Sequence, residues 1–198
     1  GQNATHACVW HEGTSMVVRK VDCSAVNDGI FMWATRVGVD GAVDYFGIED
    51  SWLHGFTTDA ANGHVDGIQT EGAKRGVIRH NTIDVAQTQT AAIALWNGRK
   101  DVDDVVVAGN LVRGGGFSVY AHDLSPSEAA PAGGFSVRNV SFTGNVFSNS
   151  RFGCVGYYGV WFPRGAPTDG WRRSANRVLE TGQSVDRGNP TYQGRLCT

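Results

Sequence analysis

Amphipathic helical periodicity is almost absent from this chain of 198 residues. No apolar stretch approaches the roughly 18 residues that a membrane-spanning helix requires. Positive charge is sparse as well, because no run of basic residues is longer than two and the formal net charge is −2 at pH 7. A nucleic-acid-binding protein usually carries a strong basic patch. These absences argue against a helical fold, a membrane-spanning protein and a nucleic-acid partner.

The apolar runs are short and rich in Val, Ile, Phe, Tyr and Thr, which favour β-strands. Turns rich in Gly, Asn and Asp separate them, and these residues tolerate positive φ angles or bond to their own backbone. Glycine alone makes up 27 of the 198 residues, about twice its usual share of ~7%. The composition therefore predicts an all-β protein with many tight turns.

A short pattern recurs along the chain, in which an apolar-x-apolar run is followed within two or three residues by Asn or Asp. The six copies end at Asp22, Asp50, Asn81, Asn110, Asn145 and Asn176. They are spaced by 28, 31, 29, 35 and 31 residues, and a second strand-like run lies between consecutive copies. A fixed period of this length predicts a solenoid of stacked coils. Stacking would place the asparagines one above another in a hydrogen-bonded ladder, with aspartates at its first two rungs.

The run His64–Gln69, followed by Ile78–Ile83, resembles the repeat units of secreted bacterial members of the pectin-lyase-like superfamily. The resemblance covers roughly residues 14–180. It implies an all-β fold, a right-handed single-stranded parallel β-helix of about five to six coils. It does not imply one reaction, because the superfamily includes lyases, hydrolases, epimerases and non-catalytic members.

One β-helix domain over residues 1–198 accounts for the chain, with coils over about 14–180 and a tail over 181–198 that would cap the last coil. Coil-like sequence already begins at Ala7–Trp10, with no capping helix before it. The ends of a solenoid need covering. We therefore expect either upstream coils, in which case the chain is a fragment of a longer β-helix, or a partner at that end.

The four cysteines lack the C-x-x-C spacing and the clustered histidines of a zinc site. Cys23 and Cys154 lie about four coils apart, and coils stacked at ~4.8 Å would hold them about 19 Å apart, too far for a disulfide. We therefore predict the disulfides Cys8–Cys23 and Cys154–Cys197, one near each end. Such disulfides are typical of secreted, extracellular proteins.

One outer face of the predicted solenoid mixes aromatic and polar side chains. If Ile30, Ile68, Ile93 and Val119 point inward in register, their neighbours form two outward columns, which are Phe31, Gln69, Ala94, Tyr120 and Trp33, Glu71, Trp96, His122. A sugar ring has apolar faces and a polar rim, so such a surface predicts a polysaccharide groove. The predicted substrate contacts are Trp33, Arg79, Trp96, Tyr120 and His122.

The most polar strand-like run of the chain lies in the third coil and supplies the predicted catalytic residues, which are His64, Asp66, Gln69, Glu71 and His80. Asp66 shares the parity of Ile68, so it is either buried with turn amides as partners or turned outward by a bulge at Gly67. Asp66 and Glu71 are also candidate ligands of a Ca²⁺ ion, and no other cofactor is predicted.

Three functions fit these residues. A β-eliminating polysaccharide lyase needs a base, for which His64, His80, His122 and Tyr120 are candidates. It also needs a group that neutralises the substrate carboxylate, which could be Gln69, Arg79 or the Ca²⁺ ion. A glycoside hydrolase would instead need a carboxylate pair such as Asp66 and Glu71. The third function is a non-catalytic carbohydrate-binding or structural β-helix. We expect the lyase first.

Overall fold

A computed structural model describes residues 6–33, 43–58, 63–122, 135–162, 170–189, 191–192 and 195–196. Every regular element in these ranges is a β-strand. No helix among the described residues is long and apolar enough to cross a lipid bilayer. The predicted all-β class is therefore confirmed.

The first of three large sheets contains six parallel strands, each hydrogen-bonded to a strand three places further along the chain. This order means that the chain makes a full turn between neighbouring strands. The strands are β1 Ala7–His11, β4 Asp28–Met32, β7 Ile68–Thr70, β10 Ala91–Trp96, β13 Phe117–His122 and β16 Gly159–Trp161.

The second and third sheets follow the same rule, with six parallel strands each. The second contains β2 Ser15–Arg19, β5 Tyr45–Glu49, β8 Ala73–Arg79, β11 Val102–Ala108, β14 Val137–Thr143 and β17 Arg172–Ser174. The third contains β3 Asp22–Cys23, β6 Trp52–Leu53, β9 Thr82–Val85, β12 Leu111–Gly114, β15 Val146–Ser148 and β18 Arg177–Val178. Each coil thus gives one strand to each sheet, which confirms the predicted parallel β-helix. The pair β19 Thr191–Tyr192 and β20 Arg195–Leu196 is antiparallel.

The predicted register of the first sheet is confirmed. Ile68 pairs with Ile30 on one side and with Ile93 on the other, and Ile93 pairs with Val119. These side chains are buried and form one inward column of the core. The third sheet contributes a matching column, which runs through Cys23, Leu53, Ile83, Val112, Phe147 and Val178. Burying continuous apolar columns against one another is what holds stacked coils together.

The asparagine ladder is also present, between the second and third sheets. The side-chain oxygen of Asn110 accepts hydrogen bonds from the backbone N–H and the amide of Asn81, at 2.9 and 3.0 Å. Asn110 in turn donates to Asn145, and Asn145 to Asn176. Each of these amides also donates to a backbone carbonyl of the preceding coil, as from Asn110 to Ile78. Both ends of the Asn110 amide are therefore paired inside the core.

The two earliest rungs differ from the prediction. The residue in line with Asn81 is Ser51, whose backbone N–H donates to the Asn81 side chain, and its hydroxyl accepts from Val21. Asp50 lies one residue earlier, with φ +51°, as does His80 with φ +56°. Both occupy the left-handed turn residue before the rung, where Asn, Asp and Gly are favoured. The expected rungs Asp22 and Asp50 were wrong. Asp50 lies in the turn before the rung, where a carboxylate gives the same sequence signal as a carboxamide in a ladder, and Asp22 lies one residue after the rung, in β3, where it pairs with Trp52.

The ladder ends on a carboxylate. Asp186 accepts hydrogen bonds from the backbone N–H and the side-chain amide of Asn176, at 3.0 and 2.7 Å. Beside it, Val185 is fully buried, and its carbonyl accepts the indole N–H of Trp161. Although partial burial raises the pKa of Asp186, the hydrogen bonds from Asn176 and Ser184 outweigh it, and the net shift is downward.

The first coil is tied by a disulfide between Cys8 and Cys23, whose Cα atoms are 6.1 Å apart. That separation lies in the usual range for a disulfide, and the predicted pairing is confirmed. Cys154 is disulfide-bonded as well. Its predicted partner, Cys197, lies outside the described residues.

Candidate functional site

The outward face of the first sheet is less open than the sequence suggested. In the first predicted column, Phe31, Gln69 and Ala94 are buried. In the second column, Trp33, Glu71 and Trp96 remain half-buried and therefore reachable from solvent. The accessible part of this face is thus the second column, while the first forms the layer beneath it.

Trp33, Glu71 and Trp96 lie on three successive coils, and we call them the Trp–Glu–Trp row. Each directly follows a residue of a paired set, Met32, Thr70 and Leu95. Neighbouring strands are ~4.8 Å apart, so Glu71 lies one strand from each tryptophan. The row therefore places a carboxylate between two flat apolar surfaces.

Arg99 adds a positive charge to this row. Its guanidinium carbon lies 3.7 Å from the centroid of the Trp33 ring, a cation–π contact. The turn that follows Trp96 brings it there, because the backbone N–H of Arg99 donates to the carbonyl of Glu71 at 3.0 Å. The charge of Arg99 also acts to lower the pKa of Glu71. The row and Arg99 together thus supply one anionic and one cationic group.

Glu71 is held by its neighbour in the strand. The Gln69 side-chain amide donates to Glu71 Oε1 at 3.0 Å, and Gln69 is nearly fully buried. Burial raises the pKa of Glu71, the Gln69 hydrogen bond and the Arg99 charge oppose it, and the net shift is upward. A carboxylate with a raised pKa is better suited to proton transfer near neutral pH than an ordinary one. Gln69, which lies in the buried layer, therefore orients the Glu71 carboxylate.

Asp66 is completely buried, which decides between the two predicted positions for it. Its Oδ1 accepts the backbone N–H of Ala91 at 2.8 Å, and its own N–H donates to Asp28 Oδ1 at 2.9 Å. Asp28 and Asp66 thus occupy equivalent places in successive coils, each ahead of a glycine. A Cβ on Gly29 would come within 2.2 Å of the Gly67 carbonyl oxygen, so only glycine fits this close approach.

His64 lies at the edge of the same group. Its side chain is 50% exposed, and Nδ1 lies 3.1 Å from Asp66 Oδ2. Its ring centroid is 5.3 Å from that of Trp96. Burial lowers the pKa of His64, but Asp66, Asp28 and Glu71 raise it more. Burial raises the pKa of Asp28 to about 6.

The ligand atoms of Asp28, His64 and Asp66 all lie within 4.8 Å of one another. Glu71, which was expected to share a Ca²⁺ ion with Asp66, does not belong to this group. Of the two expected Ca²⁺ ligands, only Asp66 belongs to the group, together with Asp28 and His64.

Arg79 and His80 are not brought to this face. Arg79 ends β8 in the second sheet, where it pairs with Glu49 at 2.9 Å, as does Arg19. His80 occupies the turn after β8, with Nδ1 3.6 Å from Asp50. Only Glu71 and Gly72 separate β7 from β8, so the chain passes into the second sheet directly after Glu71 and carries Arg79 and His80 away from it.

Aromatic side chains continue the face beyond Trp96. Tyr120 makes an edge-to-face contact with Trp96 at 6.3 Å and stacks on Phe162 at 4.5 Å. Burial raises the pKa of Tyr120 to about 12, so its hydroxyl stays protonated at neutral pH. The backbone of His122 pairs with that of Trp96, and its side chain lies outside what the structure describes.

Two residues of this region were missed at the sequence level. Asp28 had a usable signal, because Asp28-Gly29-Ile30 repeats Asp66-Gly67-Ile68 and two such runs in register must stack. Arg99 had none, since it lies in a turn and contacts a tryptophan two coils away.

The fold by itself does not specify a reaction. Comparison with protein-family models, with curated proteins and with solved structures gives no match. Common folds host many unrelated activities. Function is therefore inferred from the geometry and chemistry of these side chains.

Proposed function

We propose that the chain is an extracellular, pectin-lyase-like protein that binds a polysaccharide on the outer face of its first sheet and cleaves it there by β-elimination. The observation that carries the proposal is the Trp–Glu–Trp row with Arg99 stacked on it. It combines apolar surfaces for sugar rings with one proton acceptor and one cation.

Binding is supported by the aromatic side chains. Trp96 is half-buried, so it is fixed by its surroundings and still offers a surface to solvent. The Trp33 ring is covered by Arg99 on one face, and the exposed Trp10 stacks on it at 5.8 Å. The C–H faces of a sugar ring pack on such surfaces, while polar groups between them bond to the hydroxyls. Tyr120 and Phe162 extend the aromatic surface past Trp96. A chain laid across the coils would meet these groups in succession.

Elimination is supported by the charged groups. The base removes the proton beside a uronate carboxylate, the electron pair forms a double bond, and the glycosidic oxygen leaves with a proton from an acid. Glu71 suits the base, because it is accessible and its pKa is raised. Arg99 suits the cation that neutralises the substrate carboxylate. Tyr120, whose hydroxyl is protonated at neutral pH, is the candidate for the acid.

The hydrolase alternative is less well supported. It needs two carboxyl groups that both reach the sugar or its water. Asp66 is completely buried and already bonded to Ala91, so the expected pair Asp66 and Glu71 does not face one substrate. Binding without catalysis remains the second candidate, because the aromatic surface alone would account for it.

A panel of uronate-containing and neutral polysaccharides tests the proposal. The expected result is ultraviolet absorbance from a 4,5-unsaturated uronate with at least one uronate polymer. Reducing ends that form without this absorbance would replace the lyase by a hydrolase. Oligosaccharide binding without either product would select the binding protein.

Replacing Trp96 by Ala is expected to act on binding more than on chemistry. The change removes a sugar platform but leaves Glu71 and Arg99 in place, so KM should rise several-fold while kcat changes less. Steady-state kinetics with the best polymer of the panel measures both constants. Trp52, which stacks on His54 at 3.7 Å on the third sheet, provides the matched control, and Trp52→Ala should leave KM unchanged. A fall in kcat alone for Trp96→Ala would contradict the assignment.

A further inference from the structure

Asp28 and Asp66 form a short ladder of carboxylates in the wall of the first sheet. In each, Oδ1 accepts a backbone N–H from the next coil, Asp66 N–H at 2.9 Å and Ala91 N–H at 2.8 Å. The other oxygen of Asp66, Oδ2, accepts no hydrogen bond of acceptable geometry from the described part of the chain. Asp66 is nonetheless wholly buried. A buried carboxylate oxygen is costly unless a positive charge compensates it, and here that charge is either a protonated His64 or a bound metal ion.

His64 is placed beside this oxygen. His64 Nδ1 lies 3.1 Å from Asp66 Oδ2, a distance that fits an ion pair when the imidazole is protonated. Two ligands that each lie about 2.1 Å from one metal ion, at an angle of about 90–109°, are about 3.0–3.4 Å apart. The observed distance therefore matches two ligands that share one ion.

We propose that Asp28, His64 and Asp66 bind one divalent transition-metal ion, of which Zn²⁺ is the reference case. One imidazole nitrogen and two carboxylate oxygens form a donor set suited to Zn²⁺ and its neighbours. Ca²⁺ prefers six to eight oxygen ligands and gains little from an imidazole. Two of the three ligands come from equivalent places in successive coils, so the β-helix itself fixes their separation.

The site is open on one side. Asp66 forms its floor, whereas half of the His64 side chain faces solvent next to Trp96. Three protein ligands with one free position are typical of catalytic rather than structural zinc sites. A metal-bound His64 could not also act as a base, which leaves that role to Glu71.

Zinc titration of the chelator-treated chain, without an affinity tag and without saccharide, tests the proposal independently of the proposed enzyme activity. The expected result is one Zn²⁺ per chain. Loss of a residue that hydrogen-bonds to a metal ligand lowers metal affinity by about 10–100-fold. Loss of a ligand itself should therefore lower the affinity by at least about 100-fold. His64→Gln and Asp66→Asn are therefore both expected to do so. His64→Gln alters a half-exposed side chain and serves if Asp66→Asn does not fold.

The chain offers a matched control in a second His–Asp pair. His54 Nε2 lies 2.8 Å from Asp22 Oδ1, but no third ligand joins them among the described residues. His54→Gln should therefore leave zinc affinity unchanged. Co²⁺ added in place of Zn²⁺ should give visible absorption that His64→Gln abolishes. Wild-type affinity in His64→Gln, preference for Ca²⁺ over Zn²⁺, or no stoichiometric binding would each overturn the proposal.

Discussion

Replacing Glu71 by Gln is expected to lower kcat on the best uronate polymer by about 100-fold or more, because removal of a positioned general base typically costs that much. The variant keeps the size of the side chain and an oxygen for the hydrogen bond from Gln69. The melting temperature should therefore change little. Initial rates of ultraviolet absorbance, together with a thermal melt, measure the two quantities.

Asp104→Asn is the control for this variant. Asp104 is an exposed carboxylate on β11 of the second sheet, so the same loss of charge there should leave kcat unchanged. Wild-type turnover in Glu71→Gln would remove Glu71 from the chemistry. Equal losses in both variants would point to a general effect of charge.

Replacing Asn110 by Ala is expected to lower the free energy of unfolding by about 3–5 kcal/mol. The Asn110 side chain makes four hydrogen bonds, two as acceptor from Asn81 and two as donor to Ile78 and Asn145. Its removal leaves the buried backbone N–H of Asn81 without its acceptor. Each buried group left in this way costs about 1–3 kcal/mol. Urea unfolding followed by circular dichroism measures the change.

Asn149→Ala provides the comparison for the ladder. Asn149 is a half-buried asparagine outside the ladder, and its backbone N–H, which bonds to Glu180, is kept in the variant. The loss of unfolding free energy in Asn149→Ala should stay near the ~0.5 kcal/mol of ordinary surface substitutions. A similarly small loss for Asn110→Ala would show that the ladder does not carry the stability assigned to it.

The fold could be predicted closely because each coil of the repeat carries the same sequence pattern, so the same constraint on the register occurs several times. Ile30, Ile68 and Ile93 each look ordinary alone, but their common spacing from the turns fixes their register. The ladder was predicted correctly where it uses Asn and wrongly where it uses Ser51. The Ser51 hydroxyl takes the place of a carboxamide in this rung, and no rule of sequence composition predicts where such a replacement occurs.

The site was predictable only in part, for a different physical reason. Residues on a strand or directly after one, such as Trp96 and Glu71, follow from parity and register. Arg99 does not, because turns have no fixed register and its contact with Trp33 depends on the path of one loop. Arg79 was predicted to contact the substrate, whereas it lies on β8 in the second sheet, where it pairs with Glu49.

Asp186, the carboxylate at the end of the asparagine ladder, gives the ladder a direction and terminates it. Every asparagine both accepts from one neighbour and donates to the other, so a stack of them can in principle grow without limit, as amide stacks do in amyloid fibrils. Asp186 accepts from Asn176 twice but, when ionised, has no hydrogen to donate onward. Its lowered pKa keeps it ionised. The ladder therefore ends at Asp186, and a second molecule could not extend it from there by amide stacking.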